Sequence, residues 1–369
     1  MKNIVICCDG TNNQFAGDQT NVIRTHKVAR RAAGQLTYYN CGVGTMPEPW
    51  REGWISRMVS LVGGLAFGNG FEANIADAYR FLMANYEPGD KIYLFGFSRG
   101  AFTARAVAAM LHSVGLLHPG MENMIRYAQK YWKQDFGAES PGGKVCSDFK
   151  KSLARECPAH FIGVWDTVSS VGYINQFRTI PHTLRNPSVS HVRHAVAIGE
   201  RRSCFRQNLM FTAYEKQDIK NVWFAGVHSD VGGGYPAAGA GLAKVAFEWM
   251  MREARAKDMQ IDPEALQREL HQIGAPPDPC ADQHESLKSF WKAVELIPMR
   301  RYNWDTKQKE WRWTFGQARN VKRDAAKPEV FLHQSVIDRL KGRNDYRPPN
   351  IPHSEEESRA LFKNKIEPW

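Results

Sequence analysis

Residues 91–111 read KIYLFGFSRGAFTARAVAAML, an apolar run that ends in a serine between glycines and passes straight into an Ala-rich helical pattern. The junction is either a nucleophile on a sharp turn or a tight glycine turn with a solvent-facing serine. The strand before it and the helix after it favour the first. Gly96-Phe97-Ser98-Arg99-Gly100 has the spacing G-x-S-x-G, in which a sharp strand-to-helix turn lifts a serine hydroxyl above a sheet. Side chains two positions to either side of the serine would meet the neighbouring strand and helix, so glycines stand there. The helix that follows aims its amino terminus at the serine. The Arg99 amide, one residue on, can donate to a developing oxyanion. Ser98 is therefore the candidate nucleophile.

The flanking sequence predicts where such a turn would sit. NIVICCDGTNN reads as a buried strand and a polar loop, NVIRTHKVARRA as a helix, and QLTYYNCGVGT as a strand with a glycine-rich end. Phe71, Ile75, Tyr79, Leu82 and Tyr86 recur at helical spacing, and EPGD stops that helix. HFIGVWDTV and NVWFAGVHSDVGGG are two further β-rich runs ending in polar or glycine-rich loops. Strands alternating with helices predict an α/β fold with a mainly parallel central sheet flanked by helices. Ligands of open α/β sheets bind at the carboxyl ends of the strands. Asp9, Ser98, Asp166 and His228 each fall just after a predicted strand.

A serine hydroxyl is a weak nucleophile until a base takes its proton. His228 follows an apolar strand and is the candidate base, whereas the histidines of NPSVSHVRH read as ordinary surface residues. An acid must fix the tautomer of that base. Asp166, at the end of FIGVW, is the first choice, and Ser98, Asp166, His228 is the chain order expected of α/β-hydrolases. Asp230, two residues beyond His228, is the rival, and the sequence leaves that choice open. The Asp9–Thr11 loop is assigned the second oxyanion donor, the amide of Gly10 or Thr11, with Asp9 in support. No cofactor or metal is expected, because Asp9 and Asp230 lie in no ligand spacing.

Of 369 residues 43% are hydrophobic, ample for a large buried core. The seven cysteines form no CxxC pair and their odd number cannot pair fully within one chain, which predicts reduced, buried thiols. No signal peptide or membrane span is read, so the expected location is cytoplasmic, or outside the cell by signal-free export through a dedicated system. Residues 1–241 are expected to form the catalytic core. Residues 242–369 are expected to form a helical or irregular extension packed on it, a candidate cap or lid. Residues 118–157 are polar, and KQDFGAESPGGKV reads as a surface loop.

Lys and Arg total 49 against 38 Asp and Glu, a formal charge of +11. Part of that surplus lies in a Trp-rich stretch, RRYNWDTKQKEWRWTF, within residues 299–324. Interleaved aromatic and basic residues suit an anionic membrane surface or a nucleic acid. The preferred reading is a solvated surface whose tryptophans pack on the core, and nucleic acid is not expected as a partner. One other enzyme class is excluded. ICCDGT is similar to the D-x-D-G-T opening of haloacid-dehalogenase phosphatases, but Cys7 stands where their nucleophilic aspartate would be.

Taken together, CDGTNN, GFSRGAFTARA, GVWDTV and HSDVGGGYP resemble the phospholipase-effector domain of type VI secretion, which is widespread in bacteria and fungi. Further matching blocks are GNGFEANIADAYRFLMANYEPGDKIYLFGFSRGA, ERRSCFRQNL, VFLHQSVIDRL and YRPPNIP. The blocks run from about residue 3 to about residue 352. One departure is Gly199 in AIGERR, where an aspartate would be expected. The resemblance implies an α/β-hydrolase that cleaves lipid esters with Ser98 as nucleophile, Asp166 as acid and His228 as base. It implies a lipid or small-ester substrate and, for a secreted effector, an immunity protein. A non-lipid carboxylesterase, or a basic binding protein on an inactive hydrolase fold, are the alternatives.

Overall fold

The computed structural model describes residues 1–10, 19–42, 65–168, 172–173, 176–177, 180–288, 290–303 and 308–369. Its centre is an eight-stranded sheet. The strands are β1 (Asn3–Cys8), β2 (Gln35–Asn40), β3 (Lys91–Phe97), β4 (Ala159–Trp165), β5 (His191–Ala197), β6 (Asp218–Phe224), β7 (Val330–His333) and β8 (Ile366–Glu367). Their spatial order is β2-β1-β3-β4-β5-β6-β7-β8, and every neighbouring pair is parallel. This is an α/β-hydrolase-like architecture, as the alternating sequence pattern predicts.

Strands buried on both faces read as unbroken apolar runs, and β1, NIVICC, is buried at all six positions. Its residues alternate between two cores. Ile4, Ile6 and Cys8 join Phe71, Tyr79 and Leu82 of helix Leu65–Asn85 on one face. Val5 and Cys7 face Trp165, Trp249 and Met250 on the other. β3 divides in the same way, with Ile92 and Leu94 on the first face and Tyr93, Phe95 and Phe97 on the second.

From β1 the chain moves outward to β2, then returns past β1 to β3 and continues the other way. That reversal leaves a crevice at the carboxyl ends of β1 and β3. The register places Cys8 opposite Gly96, Phe97 opposite Trp165, and Ala197 opposite Phe224. The loops that carry Asp9, Ser98, Asp166 and His228 therefore leave the same rim.

Five expectations need correction. The segment HVRHAVA is a central strand, not a surface stretch, and His194 is completely buried within it. The polar stretch 118–157 holds helices Ile125–Trp132 and Pro141–Leu153, so part of the expected loop is helical. Ser140 caps the second helix by accepting from the Gly143 amide at 2.9 Å, with Pro141 at its first position. The segment after residue 241 is more than an irregular extension. It packs helix Gly241–Arg255 on the core and supplies β7 and β8, and Val330, Leu332, Val336 and Ile337 share one apolar cluster with Val196 and Trp223.

The Trp-rich stretch forms an antiparallel hairpin, Met299–Asn303 with Gln308–Arg312. Trp311 and Trp313 are 50% and 58% exposed, so these two tryptophans do not pack on the core. The seven cysteines are all free, with Cys7, Cys8, Cys146 and Cys157 buried and Cys41 exposed against expectation. Among the described residues, no helix is long and apolar enough to cross a membrane.

Candidate active site

Ser98 stands between β3 and helix Arg99–Val114 with φ 58° and ψ −119°. That conformation is strained for a residue with a Cβ. Both glycines of the turn are required by their surroundings. A Cβ on Gly96 would lie 2.4 Å from the Gly100 carbonyl oxygen, and one on Gly100 would lie 2.1 Å from that of Cys8. The helix start is thus pressed onto the end of β1. Ser98 is itself nearly buried, at 9% exposure.

His228 opens the short helix His228–Gly232 and is buried. Its ring packs against Phe97, the residue before Ser98, at 4.6 Å between centroids. Phe205 closes the other side at 4.8 Å, edge to face. Nδ1 of His228 lies 2.6 Å from Oδ2 of Asp166. A carboxylate on Nδ1 leaves Nε2 as the nitrogen that can take a proton. Burial lowers the His228 pKa, and the hydrogen bond to Asp166 opposes that shift. The imidazole is therefore held neutral, the form a general base needs.

Asp166 follows β4 with a positive φ of 37° and is buried. Its Oδ1 accepts from the Ala197 amide at 2.9 Å. Arg319, also buried, clamps it with two parallel bonds, Nη1 to Oδ1 at 2.5 Å and Nη2 to Oδ2 at 2.9 Å. Burial would raise the acid's pKa, but the Arg319 charge and the bonds from His228 and Arg319 outweigh it and hold the carboxyl well below its usual range. Asp166 is thus an anion.

The rival acid faces elsewhere. Asp230 accepts from the Val227 amide at 3.0 Å and from Nδ1 of His284 at 2.6 Å. It caps the helix that carries His228 rather than touching the imidazole. Asp9, at the end of β1, accepts from the Gly10 amide at 2.7 Å, the Thr20 hydroxyl at 2.7 Å and the Tyr39 hydroxyl at 2.8 Å. It fixes the start of the loop, and the Gly10 amide is turned to it. Thr11 lies outside the described residues. Arg99 is the first residue of its helix.

Three residues of the site carry no role in the sequence reading. Glu200 is buried, and its carboxylate accepts from the His228 amide at 3.2 Å, the Arg202 amide at 2.9 Å and the Ser286 hydroxyl at 3.1 Å. Burial pushes it up, but the Arg202 guanidinium pulls it down to about 2. Arg202 also lies over the Phe205 ring at 3.6 Å, and so backs the wall beside His228. The third is Arg319. Glu200, Arg202 and Phe205 belong to ERRSCFRQNL, so their block was visible without their function. The stretch GQARNVKRD around Arg319 holds no pattern that marks one arginine.

Gly199 has a packing reason. A Cβ there would lie 2.7 Å from Nε2 of Gln283 and 2.9 Å from the Gly226 carbonyl oxygen. Among the described residues, no group of three or more His, Cys, Asp or Glu side chains is placed to hold a metal ion.

Known proteins place this geometry in context. An uncharacterized protein of Saccharomyces cerevisiae, YEL023C, is 38% identical over 226 residues, which are 57% of this chain and 33% of that protein. The chain thus spans about a third of the length of that relative. A crystal structure of an uncharacterized protein from Pseudomonas aeruginosa aligns with a TM-score of 0.43 at 19% identity, covering 72% of this chain and 47% of that one. The structure of the Tle1 effector bound to the VgrG spike of the type 6 secretion system aligns with a TM-score of 0.35 at 20% identity, covering 64% and 51%. Residues 2–253 match the family described as type VI secretion system phospholipase effector Tle1-like, catalytic domain, and the chain belongs to that family.

Proposed function

We propose that the protein is a serine hydrolase of lipid carboxylic esters, a phospholipase, working through a Ser98–His228–Asp166 triad. The observation that carries this reading is the 2.6 Å contact between His228 and Asp166, with the His228 ring packed beside the strained turn that holds Ser98. The family described as phospholipase effectors supports the lipid substrate.

The chemistry is a two-step acyl transfer. Nε2 of His228 takes the Ser98 proton as Oγ attacks the ester carbonyl. The Arg99 amide holds the oxyanion, and with the Gly10 amide turned to Asp9 the second donor from that loop would be the Thr11 amide. The imidazolium then protonates the leaving alcohol, and Asp166 offsets its charge. Water, deprotonated by the same histidine, frees the acid in the second step. Every group in this scheme belongs to the chain, and no cofactor enters it.

Labelling with a fluorophosphonate probe tests the reading. The wild type is expected to label and Ser98→Ala is not. Ester hydrolysis should fall about 10⁴-fold or more in that variant. A panel of phospholipids and p-nitrophenyl esters then reads the substrate. Turnover of short soluble esters with none of phospholipids moves the protein to the carboxylesterases. A folded wild type that neither labels nor turns over any ester overturns the proposal.

A further inference from the structure

Arg319 is the one strong cation in direct contact with Asp166 among the described residues. Its five N–H donors are all used. Two go to the Asp166 carboxylate, one to the Ala197 carbonyl, and two, from Nε and Nη2, to the Phe205 carbonyl. One guanidinium therefore ties together the triad acid, the end of β5 and the residue whose ring walls His228. The planar fork matches a carboxylate in a way a lysine cannot.

The loop that delivers Arg319 is held along its length. The Gly316 amide donates to Glu295 at 2.7 Å, and Arg201 donates to the Gly316 carbonyl at 2.9 Å. Arg206 donates to the Gln317 carbonyl at 3.0 Å, and Asn350 to that of Arg319 at 3.3 Å. These residues include several that lie beyond the family match, which ends at residue 253. The arginine is positioned as a built part of the site.

We propose that Arg319 is a positioning residue of the triad, supplied by the segment beyond residue 253, which aims the Asp166 carboxylate at Nδ1 of His228 and shares its negative charge. The proposal rests on the hydrolase reading for its effect on turnover, but not for its effect on His228.

A carboxylate shared with a guanidinium attracts a proton on the neighbouring imidazole less strongly than a lone carboxylate does. The other charged and titratable groups around the pair do not replace Arg319. Glu200 is engaged by Arg202 and touches His228 only at its amide. Asp230 is turned to His284. His194, behind Asp166, is kept neutral by burial and by nearby Arg105. Arg99 begins the helix after Ser98, and among the described residues its guanidinium makes no hydrogen bond to Asp166. Losing the Arg319 charge leaves Asp166 facing His228 alone, so the imidazole should hold its proton to higher pH.

The test is an NMR titration of His228 in the full chain, in a Ser98→Ala background, with and without Arg319→Gln and Arg319→Lys. A second arm follows the pH dependence of fluorophosphonate labelling with Ser98 intact. Arg319→Gln should raise the His228 midpoint by about one unit or more, and move the acid limb of labelling upward with it. Arg319→Lys keeps the charge and loses the fork. It should hold the midpoint near the wild type and lower kcat about tenfold or more with little change in KM.

A folded Arg319→Gln protein with an unmoved His228 midpoint overturns the proposal. Should that variant fail to fold, Arg319→Lys decides, and wild-type kcat in it overturns the positioning role. The two readings fail separately. A wild type that never labels, with a midpoint that still shifts, removes the hydrolase reading and leaves the clamp. Labelling at Ser98 with an unmoved midpoint does the reverse.

Discussion

The turn at Ser98 and the loop at Arg319 meet at one histidine–carboxylate pair, yet they are built by different physics. At Ser98 the constraints are short in sequence. An apolar strand ends, a Cβ is forbidden at Gly96 and Gly100, and a helix starts at once. At Arg319 the constraints come from far away. Its partners at Asp166, Ala197 and Phe205 are 153, 122 and 114 residues distant in sequence. Local steric rules leave a spelling in the sequence, whereas a long-range hydrogen-bond cage leaves none. Reading a site from its motif therefore finds the candidate reacting groups and misses the distant residue that clamps one of them.

The largest effect that can break this contrast is at the acid. Asp166→Asn keeps the shape but offers an amide to Nδ1, and kcat should fall about 10⁴-fold. Asp230→Asn sits two residues from the base but faces His284. It should cost less than about tenfold in kcat, and its damage should appear in stability, at about 1–3 kcal/mol. Steady-state kinetics with a chromogenic ester, alongside urea unfolding, separates the two. A larger kcat loss in Asp230→Asn would make Asp230 the triad acid and the Asp166 contact a structural one.

Next in size is the turn itself. Alanine is normally better than glycine inside a helix, by about 1 kcal/mol. Gly100→Ala should reverse that sign, because its Cβ would lie 2.1 Å from the Cys8 oxygen and 2.5 Å from the Asp9 oxygen, both backbone atoms with little room to yield. A loss of about 3–5 kcal/mol in urea unfolding is expected. A neutral result would mean that the helix start can move off β1, and that the glycine is dictated by something other than contact.

Much of the fold, and the rim on which the candidate residues gather, was legible for related reasons. β1, β3, β4 and β6 are apolar runs ending in polar loops, and their order along the chain implies a parallel sheet. β5 was not legible because His191, Arg193 and His194 look like solvent-facing residues. Inside the sheet each is neutralised or paired. Arg193 bonds Asp218 and Glu253, and Nε2 of His194 accepts from the Thr167 amide at 3.2 Å. Residues 118–157 were read as polar surface because a half-exposed helix shows few apolar positions, although the Ser140–Pro141 start was there to be read. β7 and β8 are four and two residues long, too short for any periodicity to announce them. The tryptophans misled in the other direction. Bulk and apolarity suggest burial, but Trp311 on the hairpin and Trp313 just past it are half-exposed or more.

Glu200 lies between the two regimes and gives the smallest of these effects. Some of its partners are neighbours, the amides and guanidinium of Arg201 and Arg202, and others are distant, the His228 amide and the Ser286 hydroxyl. Its value in the folded chain is about 2, below the ordinary 4.5. The anion therefore stabilises the fold fully above about pH 4.5, and that contribution is lost as the pH falls toward 2. Glu200→Gln should lower stability at neutral pH by about 2–3 kcal/mol. It should also flatten the acid limb, so that variant and wild type converge between about pH 5 and 2. Urea midpoints measured across that range check both. Parallel curves, equally separated at every pH, would mean that the neighbouring arginines do not hold Glu200 as an anion. The link from ERRSCFRQNL to His228 would then be one of shape alone.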